Sequence, residues 1–136
     1  MDSQELVGEN GAATNAFDGK STTFWHTQWY NAQPPMPHEI QIDLRASYNV
    51  AGFRYLPRQD GKTNGRIARY EFYVSTDGSN WGTAVATGTF TNTANQQEVQ
   101  FAPKVGSYVR LRVLSEVNGS PYAAVADLNV LQANAP

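Results

Sequence analysis

His38-Glu39-Ile40-Gln41-Ile42-Asp43-Leu44 alternates strictly, with Ile40, Ile42 and Leu44 on one side and Glu39, Gln41 and Asp43 on the other. A period of two sends these sets to opposite faces of a strand, one face buried and one wet. The pattern recurs outward from there. Tyr48-Asn49-Val50-Ala51-Gly52-Phe53-Arg54-Tyr55-Leu56 predicts a second strand. Arg69-Tyr70-Glu71-Phe72-Tyr73-Val74-Ser75 predicts a third, closed by the turn Thr76-Asp77-Gly78-Ser79. Residues 85–90, 98–101, 108–114 and 128–131 continue the series, the last returning near the start of the chain. Helical periodicity is missing except over residues 7–16, where a short helical turn fits. Short strands separated by Gly, Pro, Asn and Asp predict an all-β fold, an antiparallel sandwich of two packed sheets rather than a closed barrel. Residues 25–37 and 58–66 are long loops, the kind that carries function in a compact domain.

The 136 residues fit a single domain with one substantial core. Ten basic and twelve acidic residues give a net charge of −2 with no basic block, which argues against nucleic acid and against an anionic membrane surface as partners. The absence of cysteine excludes disulfides, zinc–thiolate sites and a cysteine nucleophile. No apolar run has the length of a secretory signal or a membrane span. Met1 ahead of a polar stretch, and a tail over residues 132–136 that reads as the start of a linker, suggest that residues 1–136 are a module of a larger protein.

One loop segment concentrates chemistry. Asp18-Gly19-Lys20-Ser21-Thr22-Thr23-Phe24-Trp25-His26-Thr27-Gln28-Trp29 holds a turn, an oxygen-rich stretch and an aromatic run with a histidine. Such an oxygen-rich loop can wrap a hard cation. His26 offers a polar ring edge and Trp29 a flat apolar face, which suits a sugar with hydroxyls on its rim and C–H on one side. Trp25 reads as a core aromatic. The plainer readings are that His26 is a satisfied buried histidine, that Trp29 caps the core, that Arg58 is a surface arginine paired with Asp60, that Asn64-Gly65 is only a tight turn, and that Asp18 only starts an Asx-turn.

Seven segments in order carry a resemblance to a known family. They are Asn15-Ala16-Phe17-Asp18-Gly19 with Thr23-Phe24-Trp25-His26-Thr27, Pro35 to His38 with Ile42-Asp43-Leu44, Leu56-Pro57-Arg58-Gln59-Asp60-Gly61 with Asn64-Gly65, Tyr73 through Gly82, Tyr108-Val109-Arg110-Leu111, Ser115-Glu116-Val117-Asn118-Gly119, and Ala126-Asp127-Leu128-Asn129-Val130. Over nearly its whole length the chain resembles carbohydrate-binding module family 32, of the discoidin (coagulation factor C-domain-like, F5/8 type C) superfamily. Within it, the likeness is to the galactose-binding modules of bacterial sialidases and the N-terminal domain of galactose oxidase. The resemblance implies a jelly-roll-like β-sandwich with a lectin-like sugar site in loops at one end. It puts the polar sugar contacts on His26, Arg58 and Asn64, the aromatic walls on Trp29 and Tyr122, and an acidic contact on Glu9. It implies a structural calcium held by the carboxylates of Asp18 and Asp127, the hydroxyl and carbonyl of Thr23 and the carbonyls of Asn15, Lys20 and Ala126, with sodium as the weaker alternative. The family often has Glu where this chain has Asp127.

No catalytic constellation is legible. Glu5, Glu9, Glu39 and Glu116 have no spacing that suggests the carboxylate pair of ordinary glycoside hydrolysis, and no nucleophile-elbow pattern occurs. The expectation is therefore a binding module, not an enzyme. It would be monomeric and tethered to a glycoside hydrolase or carbohydrate oxidase, extracellular, and bound to galactose-containing glycans such as galactose, lactose or N-acetylgalactosamine. Lys62 and Arg66 keep galacturonate open as a ligand. The alternative is a structural domain, or a discoidin-type membrane or protein adhesion domain, without sugar affinity.

Overall fold

The computed structural model describes residues 1–133; the expected linker residues Asn134, Ala135 and Pro136 lie outside the described residues. Seven strands follow in chain order: β1 (Trp25–His26), β2 (His38–Leu56), β3 (Arg69–Ser75), β4 (Ala86–Thr89), β5 (Gln97–Val113), β6 (Ala124–Val125) and β7 (Asp127–Gln132). A 3-10 turn over Ala13–Phe17 precedes them, at the end of the stretch where a helical turn was expected. All pairings are antiparallel. Five strands form one ladder in the order β4-β3-β5-β2-β7, and β1 pairs with β6.

The expected separate strands 38–44 and 48–56 are one strand, β2, and 98–101 and 108–113 lie within one strand, β5, which ends one residue short of the expected Leu114. The pairing of β2 with β5 survives two irregularities, between Asp43 and Tyr48 and between Val50 and Gly52. Arg45 sits between the first pair with φ 67°, so an interruption in the alternation bends the ladder rather than ending it. On one side of this bend β3 pairs with β5 over Tyr108–Val113; on the other, β7 pairs with β2 over Val50–Leu56. Phe53, from the second half, stacks on Phe72 of β3 at 4.1 Å and meets Tyr70 edge-on at 5.8 Å. The ladder is thus folded over on itself, and its two halves are the layers of an antiparallel β-sandwich of discoidin type.

The fold-back encloses Ile40, Phe53, Tyr55, Phe72, Val74, Val109 and Leu111, all essentially inaccessible. Each buried aliphatic or aromatic side chain contributes about 1.5–3 kcal/mol relative to exposure. Trp25 is fully buried, as expected, and its indole N–H donates to Ser3 O at 2.8 Å. Tyr55 links the core to the loop end: its hydroxyl donates to Ala124 O at 3.2 Å and accepts from Ile67 N at 3.1 Å. Burial pushes this phenol well above its ordinary pKa. His38 is also buried and structural. One ring nitrogen pairs with Asp2 Oδ2 at 2.7 Å and the other donates to Pro121 O at 2.8 Å, fastening the N-terminal segment to the loop that carries Tyr122.

Candidate functional site

The β1–β6 pair sets the floor of the site. His26 lies opposite Ala124, and Thr27 continues the contact by exchanging hydrogen bonds with Ala123, from its own N–H to Ala123 O at 3.0 Å and from Ala123 N to its hydroxyl at 3.0 Å. His26 is consequently 2% exposed, with Tyr122 beside its ring at 5.6 Å. Its Nδ1 lies 2.6 Å from the Thr27 carbonyl, which can only accept. Nδ1 therefore carries the proton of the neutral ring, and Nε2 is the free acceptor. Burial, assisted by the Arg58 charge, holds the His26 pKa below its ordinary value against the opposing pull of the Thr27 carbonyl and of Glu9 and Glu116.

Arg58 is 5% exposed rather than a surface residue, but the pairing with Asp60 is real. Nε donates to Asp60 Oδ1 at 2.9 Å, Nη2 to Asp60 Oδ2 at 2.7 Å, and Nη1 to Asn64 O at 2.9 Å. Phe24 lies against the guanidinium at 4.4 Å. Of the five N–H bonds, one on Nη1 and one on Nη2 remain unassigned. A buried guanidinium needs such partners, because unpaired burial of charge is costly. The Arg58 hydrogen bond to Asp60 holds that carboxyl below its usual pKa.

Asn64-Gly65 is a tight turn as well as a site element. Gly65 has φ 89°, and a Cβ there would lie 2.7 Å from that of Ala124. The close approach lets Gly65 O accept from Ala124 N at 2.9 Å, which brings Asn64 beside the β1–β6 floor.

Trp29 is half-buried, and its indole N–H donates to Glu9 Oε1 at 2.8 Å. The ring packs so closely on the Gly8 backbone that a Cβ at Gly8 would lie 2.7 Å from it. Glu9, His26, Trp29, Arg58, Asn64 and Tyr122 line one cavity of about 220 Å³, with the exposed Lys62 completing the lining. Arg66 is directed elsewhere, donating to Asn92 at 2.8 Å. A separate depression of about 240 Å³, lined by Leu44, Tyr48, Val50, Val130, Leu131 and Gln132, has no charged side chain to orient a polar ligand.

The ion-site candidates lie on the 3-10 turn, the loop after it and the start of β7, and the turn packs against β7. Asp18 Oδ1 accepts from Lys20 N at 2.9 Å, the expected Asx-turn, and Oδ2 accepts from the Thr23 hydroxyl. These contacts hold the Asp18 pKa below its ordinary value. Asn15 directs its side-chain amide to Asn10 O and Phe24 O. Ala126 is buried, its N–H donating to Leu56 O at 2.9 Å, and Asp127 accepts from Asn129 Nδ2 at 3.1 Å. Among the described residues no three His, Cys, Asp or Glu side chains converge. The donor set that the resemblance implies is carbonyl-rich and all-oxygen, chemistry that would fit a hard cation rather than zinc.

The F5/8 type C domain profile matches residues 2–128. The chain belongs to the F5/8 type C domain family. Among curated relatives, the sialidase of Micromonospora viridifaciens is 42% identical over 131 residues, covering 96% of this chain and 20% of the sialidase. The galactose oxidase of Gibberella zeae is 43% identical over 120 residues, covering 88% of this chain and 18% of the oxidase. The chain thus spans about a fifth of the length of these relatives. Among solved structures, a CBM32 module of Clostridium perfringens, solved with GalNAc-β-1,3-galactose, superimposes with TM-score 0.87 at 37% identity, covering 95% of this chain and 90% of that one. The family 32 module of C. perfringens NanJ, solved with galactose, gives TM-score 0.81 at 29% identity, covering 94% and 88%. This F5/8 type C domain therefore shares its fold with carbohydrate-binding modules of family 32.

Two residues of the site region escaped sequence reasoning. Glu5 and Glu116 are buried and hold the loops around the cavity. Their partners are backbone N–H groups, which leave no side-chain pattern to read.

Proposed function

We propose that this domain binds terminal galactose-configured sugars without catalysing a reaction on them. The observation that carries this reading is the complementarity of the unused valences around the cavity. His26 Nε2 can only accept, while the two unassigned Arg58 N–H groups can only donate. An axial hydroxyl can donate to the first and accept from the second; moving that hydroxyl to the equatorial position leaves both buried groups without a partner. Asn64 supplies a group of either sense, Trp29 and Tyr122 offer apolar faces for the sugar C–H patch, and Glu9 accepts from a neighbouring hydroxyl. The solved relatives bound to galactose and to GalNAc-β-1,3-galactose support the same class of ligand. A monosaccharide offers little area, so the expected Kd is roughly millimolar, about 4 kcal/mol. Function then comes from proximity: tethered to a glycan-active enzyme in an extracellular protein, a monomeric module raises that enzyme's concentration at its substrate.

In the same reading a calcium ion, or more weakly sodium, is held by the carboxylates of Asp18 and Asp127, the hydroxyl and carbonyl of Thr23 and the carbonyls of Asn15, Lys20 and Ala126. The ion would fasten the N-terminal loop to β7 and supply no chemistry to the sugar.

A second reading rests on three exposed apolar side chains near Trp29: Leu6 at 59%, Val7 at 68% and Tyr30 at 58% exposure. These could insert into a lipid surface, and vesicle sedimentation separates that reading from the first. The test of the sugar reading is calorimetric titration with galactose beside its C4 epimer glucose. Binding of galactose alone is expected; equal binding, or binding of neither, overturns it.

A further inference from the structure

Glu5 is 1% exposed, and among the described residues no lysine or arginine forms an ion pair with it. Its charge is met by four backbone N–H groups instead. Oε2 accepts from Val7 and Gly8, each at 2.9 Å, and Oε1 from Trp29 and Tyr30, each at 2.8 Å. The N–H groups of Tyr30 and Trp29 lead in holding this carboxyl down to a pKa of about 2. Glu116, 4% exposed, makes the same kind of junction on the other side of the cavity. Its Oε2 accepts from Gly65 at 2.7 Å, and its Oε1 from Asn118 at 3.1 Å and Ser120 at 3.0 Å.

Neither carboxylate lines the cavity, yet each joins two segments that do. Glu5 ties the strip bearing Gly8 and Glu9 to the loop bearing Trp29, 24 residues away. Glu116 ties the Asn64-Gly65 turn, 51 residues away, to the loop bearing Tyr122. We propose that Glu5 and Glu116 are positioning residues that set the spacing and orientation of the two walls of the sugar site. This rests on the sugar reading above. Asp77 is the instructive contrast. Its carboxylate also caps backbone N–H groups, but only those of Ser79 and Asn80 within its own turn, and it joins no site segments.

The role demands a carboxylate. An amide of the same shape has one acceptor oxygen, and its NH₂ would face N–H donors. Glu5→Gln therefore unpairs one of the two segments that Glu5 joins, and the Trp29 loop is left tied to the Gly8–Glu9 strip by the indole–Glu9 hydrogen bond without its backbone anchor.

The test uses the whole domain with Glu5→Gln, Glu116→Gln and the control Asp77→Asn. NMR titration with galactose separates two effects, since the folded fraction is read from the spectrum without sugar and Kd from the shifts of the folded peaks. The expected result is a Kd raised about tenfold in both glutamine variants, equivalent to about 1.4 kcal/mol, with Asp77→Asn binding like the wild type. Without sugar, the Trp29 indole N–H resonance shifts in Glu5→Gln while that of Trp81 does not. Wild-type Kd in both glutamine variants, or a stationary Trp29 resonance, overturns the proposal. If a glutamine variant fails to fold, Glu5→Asp and Glu116→Asp decide. Each keeps both oxygens and shortens the reach by one methylene, so weakened binding supports the role and unchanged binding overturns it. If the wild type binds no galactose, the sugar reading alone fails. The Trp29 resonance then judges the positioning role of Glu5, and the Tyr122 ring resonances in Glu116→Gln judge that of Glu116.

Discussion

In the proposed sugar site His26 accepts and Arg58 donates, and that division depends on protonation. The Thr27 carbonyl fixes the proton on Nδ1, so the ring accepts at Nε2 only while neutral. Burial, with the Arg58 charge second among the causes that depress it, keeps the folded pKa below the ordinary histidine value of 6.5. An unfolded chain then binds more protons than the folded one just below that value, so stability falls as pH falls. This histidine's contribution is complete above pH 6.5 and is lost as pH drops through its depressed folded pKa. Galactose affinity depends on the folded ring alone, so it is expected to stay level from pH 8 to below pH 6.5 and to fall only as pH drops through the depressed folded pKa, measured by titration at stepped pH. An affinity that already falls between pH 8 and pH 6.5 would contradict a neutral His26 ring accepting at Nε2. These side chains were legible in the sequence through the family resemblance, which placed His26 and Arg58 at matching motif positions; taken singly, each also had a plain structural reading. Their tautomer and partners were not, because those depend on backbone carbonyls brought close only by the fold. Glu5 and Glu116 were passed over for the same reason.

At the scale of elements, alternation located the buried faces correctly while misplacing the strand ends. Residues 38–44 and 48–56 alternate separately because the chain bulges near Arg45, and the register of side chains resets across the bulge. Pairing with β5 runs through the interruption, a long-range fact that no local pattern contains. The loops were easier to read. The Asn64-Gly65 turn owes its shape to a residue without a Cβ, and Gly65→Ala tests that directly. A non-glycine residue at φ 89° costs about 1–3 kcal/mol before any clash with Ala124 is counted. The expected outcome is a melting temperature lower by roughly 5–10 °C, and weaker galactose binding by the protein that stays folded. An alanine variant with wild-type melting and affinity would mean that the approach to β6 is not required.

Across the whole molecule, the sandwich is a rigid stand for loops gathered at one end. The β1–β6 pair carries His26, the two long loops carry Trp29, Arg58 and Asn64, and the segment before β6 carries Tyr122. A cation between the early loop and β7 would brace this arrangement from the side. Excess chelator is expected to lower the melting temperature by about 5 °C or more, since a ligand bound only to the folded state adds to its stability. An unchanged melt, with no metal found by elemental analysis, would remove the ion from the account. The central claim is that the cavity lined by His26, Arg58 and Trp29 takes a sugar with an axial hydroxyl. The measurement that tests it most directly is residue-resolved NMR titration with galactose beside glucose. The account predicts saturable shifts with galactose at the Trp29 indole, the His26 ring and the Arg58 N–H groups, and none with glucose. Equal shifts with both sugars, or shifts confined to the depression around Leu44, Tyr48 and Val50, would contradict it.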